Sequence, residues 1–120
     1  MRVICALIFC LMSSCALFRG SARESLVGEW RYADAAQSCH YHFKGDGLFT
    51  GEVRDRAKLV SKFTGRWSVQ GHAILYTYIS DALGRIPSGA TDRDKLLSIQ
   101  KDSFVIEAAD GSQRRYSRVK

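Results

Sequence analysis

The chain has 120 residues and a formal net charge of +6, from 18 Lys and Arg against 12 Asp and Glu residues. Hydrophobic residues make up 46% of the chain and charged residues 25%, a composition that excludes intrinsic disorder. A single proline and ten glycines exclude a proline-rich linker or a collagen-like repeat. At this length we expect one compact domain with one core.

The first fifteen residues have the parts of a secretory signal. Arg2 precedes the unbroken apolar run Val3–Met12, and two serines lead from that run to Cys15. About ten apolar residues suit a signal peptide, whereas a helix that crosses a bilayer needs about 20. The pattern predicts that the chain is exported and that residues 1–15 form a signal peptide outside the folded domain.

The end of this segment resembles the lipobox of bacterial lipoproteins. In Met12-Ser13-Ser14-Cys15 an apolar residue stands three positions before a cysteine, and small residues fill the positions between them. The resemblance implies that Cys15 becomes the mature N-terminus and carries fatty-acid chains such as palmitate, which anchor the protein in a membrane. Because Ala16 is not the aspartate associated with inner-membrane retention, it also implies an outer-membrane address facing the periplasm. The alternative is ordinary secretion, with cleavage near Ser14 or Ala16.

Cysteine usage allows no disulfide framework in the domain. Cys5 and Cys10 lie in the leader, so Cys39 is the one cysteine of the predicted folded part. With Cys15 lipidated, Cys39 is an unpaired thiol in an oxidising compartment, which burial would keep inert. With Cys15 unmodified, a Cys15–Cys39 bridge remains open.

The rest of the chain divides into a tether, Ala16–Ser25, and one domain, Leu26–Lys120. Within the domain, short runs of period-two alternation are separated by turn residues such as Asp34, Asp46 and Asp110. This pattern predicts an all-β fold, a small antiparallel up-and-down β-barrel of about eight short strands. The candidate strands are Val27–Tyr32, Cys39–Phe43, Leu48–Arg54, Lys58–Phe63, Gly65–Val69, Ala73–Ile79, Lys95–Ile99, Phe104–Ala108 and Arg114–Val119.

The longest gap between candidate strands, Ser80–Thr91, is a candidate ligand or partner loop. It holds the only proline, Pro87, and the apolar residues Leu83 and Ile86. Loops of this length in compact domains are often functional. We expect the two apolar side chains to cap a cavity mouth or contact a partner; the alternative is that they pack on the barrel rim and have no such role.

Gly28-Glu29-Trp30, on the first predicted strand, resembles the first signature of the lipocalins. That resemblance implies that Trp30 plugs the closed end of a barrel and that an arginine near the last strand packs across its ring. Arg114, Arg115 and Arg118 are candidates, and Arg118 is preferred. The second glycine-tryptophan pair, Gly65-Arg66-Trp67, is also similar to small bacterial lipocalin-like domains. The chain is shorter than a full lipocalin and lacks the usual terminal helix, so the resemblance supports the fold better than ligand transport.

Residues that carry chemistry are few. His40 and His42 share one strand face and could hold a metal with His72. No closed set of three or four ligands appears, so we expect two exposed histidines and predict neither a metal nor a cofactor. No nucleophile elbow or phosphate-binding glycine loop occurs, and we therefore predict that the protein is not an enzyme.

These observations predict a non-catalytic, lipid-anchored envelope protein that is a monomer. Its barrel would bind a small apolar or amphipathic ligand, or act as an accessory domain that contacts a protein partner. Export argues against nucleic acid as the target of its basic residues. The alternative is a periplasmic inhibitor of a secreted enzyme, of the protease or lysozyme type, that presents a loop or tail to its target.

Overall fold

The computed structural model describes residues 22–120. Eight antiparallel strands follow one another in chain order, and β8 pairs with β1 to close a barrel. The predicted all-β, up-and-down barrel of eight strands is therefore confirmed. The strands are β1 Gly28–Ala33, β2 Gln37–Phe43, β3 Leu48–Asp55, β4 Lys58–Gln70, β5 Ala73–Asp81, β6 Thr91–Ile99, β7 Ser103–Glu107 and β8 Gln113–Arg118.

The alternation of side chains decides which face of each strand is inside. On β2, Cys39 and Phe43 are buried, and Tyr41 lies between them on the same face. His40 and His42 point the other way, towards Arg31 and Glu29 of β1 in the strand register. The same period of two recurs on the other strands, so one face of the closed sheet forms the core.

Two predicted strands are one strand in the structure. The runs Lys58–Phe63 and Gly65–Val69 form the single strand β4, with a bulge against β5 between Thr64 and Gly65. A side chain at Gly65 would collide with the Thr77 carbonyl and the Phe49 ring, so the glycine lets neighbouring strands approach here. The sequence pattern at Thr64 and Gly65 predicts a break between two strands, but in the structure it corresponds to a β-bulge within one continuous strand.

Strand β6 begins at Thr91 rather than at Lys95, four residues earlier than the alternation of apolar residues indicates. Its first residues, Thr91-Asp92-Arg93-Asp94, are all polar. They pair with Thr77–Ile74 of β5 and continue the alternation without any apolar side chain. The gap between β5 and β6 is correspondingly shorter than the predicted Ser80–Thr91 loop.

Aspartates organise the tight turns, as predicted. The Asp34 carboxylate accepts hydrogen bonds from the Ala36 and Gln37 amides at 2.8 and 2.7 Å. Asp46 accepts one from the Leu48 amide, and Asp110 accepts one from the Ser112 amide. Each carboxylate accepts hydrogen bonds from backbone amides that have no backbone acceptor in the tight turn.

The two ends of the barrel differ. At one end, residues 22–26 form a helical turn in which Ala22 and Leu26 are buried. The Arg23 guanidinium lies 5.0 Å from the centre of the Trp67 ring and donates a hydrogen bond to the Gly45 carbonyl. The last residues of the segment predicted as a tether thus pack against this end, which we call the base.

Aromatic rings fill the barrel above the base. Trp30 meets Phe104 edge to face at 4.7 Å between ring centres, and Phe104 stacks on Tyr116 at 4.8 Å. On the opposite wall, Phe43 contacts Trp67 at 4.9 Å. An eight-stranded barrel is just wide enough for its side chains to fill it, and these buried rings pack its interior next to the base.

Removal of the Trp30 side chain should be strongly destabilising, because the ring is fully buried. We expect Trp30→Ala to lower the free energy of unfolding by about 3–5 kcal/mol in a chemical denaturation experiment. Arg31→Ala, at the next and outward-facing position, is the matched control and should change stability by about 0.5 kcal/mol or less. Equal effects of the two substitutions would contradict the packing described here.

Candidate functional site

At the base, the structure brings together Gly28, Trp30 and Arg118. The Arg118 guanidinium carbon lies 4.2 Å from the centre of the Trp30 ring. Its nitrogens donate hydrogen bonds to the Ser25, Val27 and Lys101 carbonyls at 2.8, 3.1 and 2.9 Å. The Trp30 indole N–H donates to the Leu26 carbonyl at 2.8 Å. The arrangement is a cation–π contact whose polar groups are all satisfied, so it closes the base.

Gly28 is required for this closure on two grounds. Its φ is +134°, a conformation that side chains disfavour, and an added Cβ would lie 2.5 Å from Arg118 Nη1. Neither of the other arginines considered above takes this place. Arg114 lies at the opposite end, 5.5 Å from the Tyr32 ring centre, and Arg115 donates to the Ser103 hydroxyl.

The opposite end of the barrel, which we call the mouth, carries the long β5–β6 loop of residues 82–90. Asp81 anchors it: its carboxylate accepts hydrogen bonds from the Leu83, Arg85 and Ile86 amides at 3.0–3.1 Å and from the Ser61 hydroxyl at 2.7 Å. Desolvation opposes ionisation of Asp81, but these hydrogen bonds outweigh it and lower its pKa to about 2. The loop is therefore held by an ionised carboxylate throughout the ordinary pH range.

The three predicted loop residues have different environments. Ile86 is half-buried and packs against the core, whereas Leu83 is 46% exposed and Pro87 is exposed. None of the three lines the cavity at the mouth. Ile86 thus packs on the rim, and Leu83 and Pro87 face solvent beside the mouth rather than across it.

A cavity of about 280 Å³ lies in the mouth. Its wall combines aromatic rings from β2 and β8 with charged side chains from β6, β8 and the β7–β8 turn. The lining residues are Tyr41, Asp92, Asp94, Ala108, Ala109, Asp110, Arg114 and Tyr116. The cavity is therefore mixed in character, unlike the aromatic core beneath it.

The cavity lies where β6 extends past β7. The pairing of β6 with β7 runs from Lys95 opposite Glu107 to Ile99 opposite Phe104. Residues 91–94 of β6 therefore pair with β5 on one side only, because β7 ends at Glu107, opposite Lys95. Side chains at positions 92 and 94 stand at this lateral opening.

Asp94 has a raised pKa, in contrast to Asp81, whose pKa is lowered. Desolvation is the main cause and raises its pKa to about 6, and the nearby charge of Asp92 adds to the rise. A hydrogen bond from the Tyr76 hydroxyl, at 3.0 Å, and the charge of Arg114 act in the opposite direction. Asp94 is thus a carboxylate held in a site that disfavours its charge, a property typical of functional groups.

Burial also governs the other titratable groups of the interior. It raises the pKa of Tyr41, Tyr76 and Tyr116 well above the ordinary value, so their hydroxyls stay protonated hydrogen-bond donors. It raises the pKa of the Cys39 thiol as well, and Cys39 is a free, buried cysteine. A thiol with a raised pKa and little access to solvent is a poor nucleophile.

The outer face of β2 carries the two histidines. His40 Nε2 lies 3.2 Å from the Glu29 carboxylate, and His42 stands opposite Glu29 in the register of β1 and β2. Over residues 22–120, no group of three or more His, Cys, Asp and Glu side chains is placed to hold a metal ion. In the same part of the chain, no helix is long and apolar enough to span a membrane. Cys15 lies outside the described residues.

The closed base, the up-and-down strand order and the cavity at the other end define a lipocalin-like barrel. The solved structure of a lipocalin-like protein from Bacteroides uniformis is similar, with a TM-score of 0.58 and 18% sequence identity. The match covers 79% of this chain and 99% of that one, and at this identity it establishes the fold. No family model and no curated protein matches the sequence.

Sequence reasoning missed the carboxylates of the mouth. Asp92, Asp94 and Leu96 alternate with Thr91, Arg93 and Lys95, which is the period of two that a strand requires. The signal was hidden because the inward positions nearest the mouth are charged rather than apolar. An alternation of acidic with basic residues leading into an apolar strand could have revealed it.

The raised pKa of Asp94 makes stability depend on pH. The protonated form of Asp94 is favoured in the folded state. The stability that this group contributes is therefore fully present below the pKa of the unfolded chain, near 3.8, and is lost as the pH rises through the folded-state pKa of about 6. An asparagine keeps the hydrogen bond from Tyr76 and carries no charge. We therefore expect Asp94→Asn to match the wild type at pH 4 and to be more stable by about 1–3 kcal/mol at pH 8.

Chemical denaturation at the two pH values measures this difference. Asp102→Asn is the control, because Asp102 lies outside the barrel in an exposed pair with Lys120, and its effect should be about 0.5 kcal/mol or less at both. An Asp94→Asn effect that is the same at pH 4 and pH 8 would mean that the carboxyl group is fully solvated.

Proposed function

We propose that the protein is a non-catalytic lipoprotein of the bacterial envelope whose barrel binds a small amphipathic ligand at its mouth. The observation that carries the proposal is the cavity of about 280 Å³ above a filled and closed base. A closed base leaves the mouth as the one end through which a ligand could enter. The filled lower barrel restricts such a ligand to the upper part of the interior.

The size of the cavity supports a small ligand. A volume of about 280 Å³ equals that of roughly nine liquid water molecules. Tyr41 and Tyr116 offer ring surface, and Asp94 and Arg114 offer charge, so a ligand with one apolar and one polar part suits the wall best. A wholly apolar ligand would leave the charged groups without partners and is disfavoured.

The envelope location is proposed on sequence grounds. It rests on the leader and on Met12-Ser13-Ser14-Cys15, with lipid on Cys15 and an outer-membrane address facing the periplasm. The proposal that the protein is not an enzyme likewise rests on the lack of a recognisable catalytic motif in the sequence. We propose that it acts as a monomer.

One observation favours a second function, inhibition of a secreted enzyme. The β5–β6 loop is held firmly by Asp81 and by backbone hydrogen bonds between Tyr78 and residues 89 and 90. It displays Leu83, which is 46% exposed. An ordered loop with an exposed apolar tip is the kind of surface that an inhibitor presents to its target.

Lipidation can be tested by labelling cells that express the full chain with a fatty-acid probe. We expect label on the wild type and its loss in Cys15→Ser, because the thiol is the attachment point. Cys10→Ser, within the leader, is the matched control and should keep the label. Labelling that survives in Cys15→Ser would contradict the proposed anchor.

Ligand binding at the mouth can be tested by native mass spectrometry of protein purified from its own envelope. We expect a bound small molecule in the wild type and at least a tenfold loss, about 1.4 kcal/mol, in Ala108→Phe, since Ala108 lines the cavity. Ala35→Phe places the same ring on an exposed turn at the mouth and should retain the ligand.

The same preparations separate the two functions. A bound protein that is lost in Leu83→Ser but kept in Ala108→Phe would favour inhibition over ligand binding. A wild type that carries neither a small molecule nor a protein would count against both.

A further inference from the structure

The β2–β3 turn at the base carries an apolar side chain between two cations. Lys44 and Leu48 face each other across the turn, where the Lys44 amide donates a hydrogen bond to the Leu48 carbonyl at 2.9 Å. Leu48 is paired on its other side with Arg66 of β4 in the strand register. Because each of these three residues adjoins a buried position on its strand, their side chains point outwards, and Leu48 is 41% exposed.

Arg23 adds a third cation to the same turn. Its guanidinium donates a hydrogen bond to the Gly45 carbonyl at 3.1 Å and lies over the Trp67 ring. We call Arg23, Lys44, Leu48 and Arg66 the basal patch. The ion pairs formed within residues 22–120 include none of its three cations. No carboxylate of that part of the chain pairs with them, so they are available to anions outside the protein.

Hydrogen bonds hold the turn in one shape. The Lys44 carbonyl accepts them from the Gly47 amide at 3.1 Å and from the Trp67 indole N–H at 2.9 Å. The Gly47 carbonyl accepts one from the Trp67 amide at 2.9 Å, and the Asp46 carboxylate accepts one from the Leu48 amide at 3.0 Å. A surface that is ordered before it binds loses little conformational entropy on binding. The exposed Leu48 side chain is therefore presented on a preorganised support.

The N-terminal segment reaches the barrel beside this patch. Ala22 is buried at the base, and the next residue, Arg23, already contacts the β2–β3 turn. A lipid on Cys15, as proposed above, would hold this side of the barrel near a membrane. The carboxylates that line the cavity of the mouth lie at the other end. Their repulsion from an anionic surface favours an orientation with the patch towards that surface.

From these contacts we infer that the basal patch docks on the surface of an anionic phospholipid bilayer. The inference rests on the proposed function, because the lipid on Cys15 is what brings the patch to the membrane. The three cations would pair with lipid phosphates. The Leu48 side chain would enter the boundary between headgroups and acyl chains, as apolar residues of interfacial segments do.

Charge makes the docking selective for anionic lipid. A Lys or Arg side chain near an anionic bilayer strengthens binding about fivefold, so three of them favour it over a neutral bilayer by about a hundredfold. The apolar contribution of Leu48 is similar on both surfaces. An acidic protein could pair with the same cations, but it would not bring Leu48 into contact with lipid. Contact between Leu48 and lipid therefore distinguishes the two partners.

Leucine methyl signals can measure that contact. The protein is expressed from the full chain, purified from its membrane and reconstituted in nanodiscs that contain a lipid with a nitroxide at its headgroup. In discs of equal parts phosphatidylcholine and phosphatidylglycerol, we expect the Leu48 methyl signals to broaden about threefold more, or beyond, than in discs of phosphatidylcholine alone. Leu83, which is 46% exposed beside the mouth, is the internal control and should not broaden in either disc. Raising the salt concentration should reduce the difference at Leu48, because charge attraction is screened.

A pair of matched variants tests the role of the cations. Arg66→Gln should lower the broadening of Leu48 in the anionic discs by about twofold or more, since it removes one of the three cations. Arg85→Gln removes the same charge from the exposed β5–β6 loop at the other end of the barrel and should leave the broadening unchanged. The remaining methyl signals show whether each variant is folded.

The outcomes separate this inference from the proposed anchor. Equal broadening of Leu48 in the two kinds of disc, broadening that survives in Arg66→Gln, or no broadening at all overturns the docking. In the last case an acidic protein becomes the better partner for the patch. None of these results touches the anchor, which is tested by the fatty-acid label on Cys15.

If the purified chain carries no lipid, vesicles of the same two compositions replace the nanodiscs. Sedimentation then measures binding directly, and the anionic vesicles should bind the chain about tenfold more tightly or better, with a loss in Arg66→Gln and none in Arg85→Gln. An unlipidated chain that shows no preference for the anionic vesicles contradicts the docking as well as the anchor.

Discussion

The fold depends on one cation, Arg118, placed on the face of the Trp30 ring. Its three hydrogen bonds go to the carbonyls of Ser25 and Val27, just before β1, and of Lys101 in the β6–β7 turn, so a single side chain of β8 connects these two segments at the base. Guanidinium suits this position because it is planar and offers five donors, so it can stack on a ring and bind several carbonyls together. Gly28 leaves the room that this arrangement needs.

The interior changes in character from the base to the mouth. Large rings such as Phe43, Phe49 and Phe104 fill the lower interior, whereas charged side chains such as Asp94 and Arg114 line the cavity at the mouth. Tyrosines mark the boundary: their rings continue the aromatic core, and their hydroxyls face the polar part. Asp94 lies at this boundary, where desolvation disfavours its ionised form and raises its pKa to about 6.

The sequence predicts the barrel and its base well, and the mouth poorly. Period-two alternation identifies strands wherever the inward residues are apolar, as in Cys39–Phe43, and turn aspartates identify the connections. The position of Trp30 and Arg118 followed from a resemblance, which also implied their contact. Periodicity failed to identify the strand at Asp92 and Asp94. The method looks for apolar residues at inward positions, and here the inward residues are charged.

The sequence pattern also does not predict the helical turn of residues 22–26. Its five residues are too few to show a helical period, and it is stabilised by tertiary contacts such as the hydrogen bond from Trp30 to Leu26. The β5–β6 loop was located correctly in its general position. Its order depends on long-range hydrogen bonds from Ser61 and Lys62 to Asp81, which no local rule contains.

The packing of the N-terminal segment on the base has a consequence for orientation. The chain reaches the barrel at Ala22, beside the base and at the far end from the cavity. Six residues separate Cys15 from Ala22, so the two are seven residue steps apart, and an extended chain of seven steps spans at most about 25 Å. A lipid on Cys15 would therefore anchor the protein with the closed base of the barrel close to the bilayer. The mouth would then face away from the bilayer, into the aqueous space. It would be accessible to dissolved molecules rather than to lipid tails.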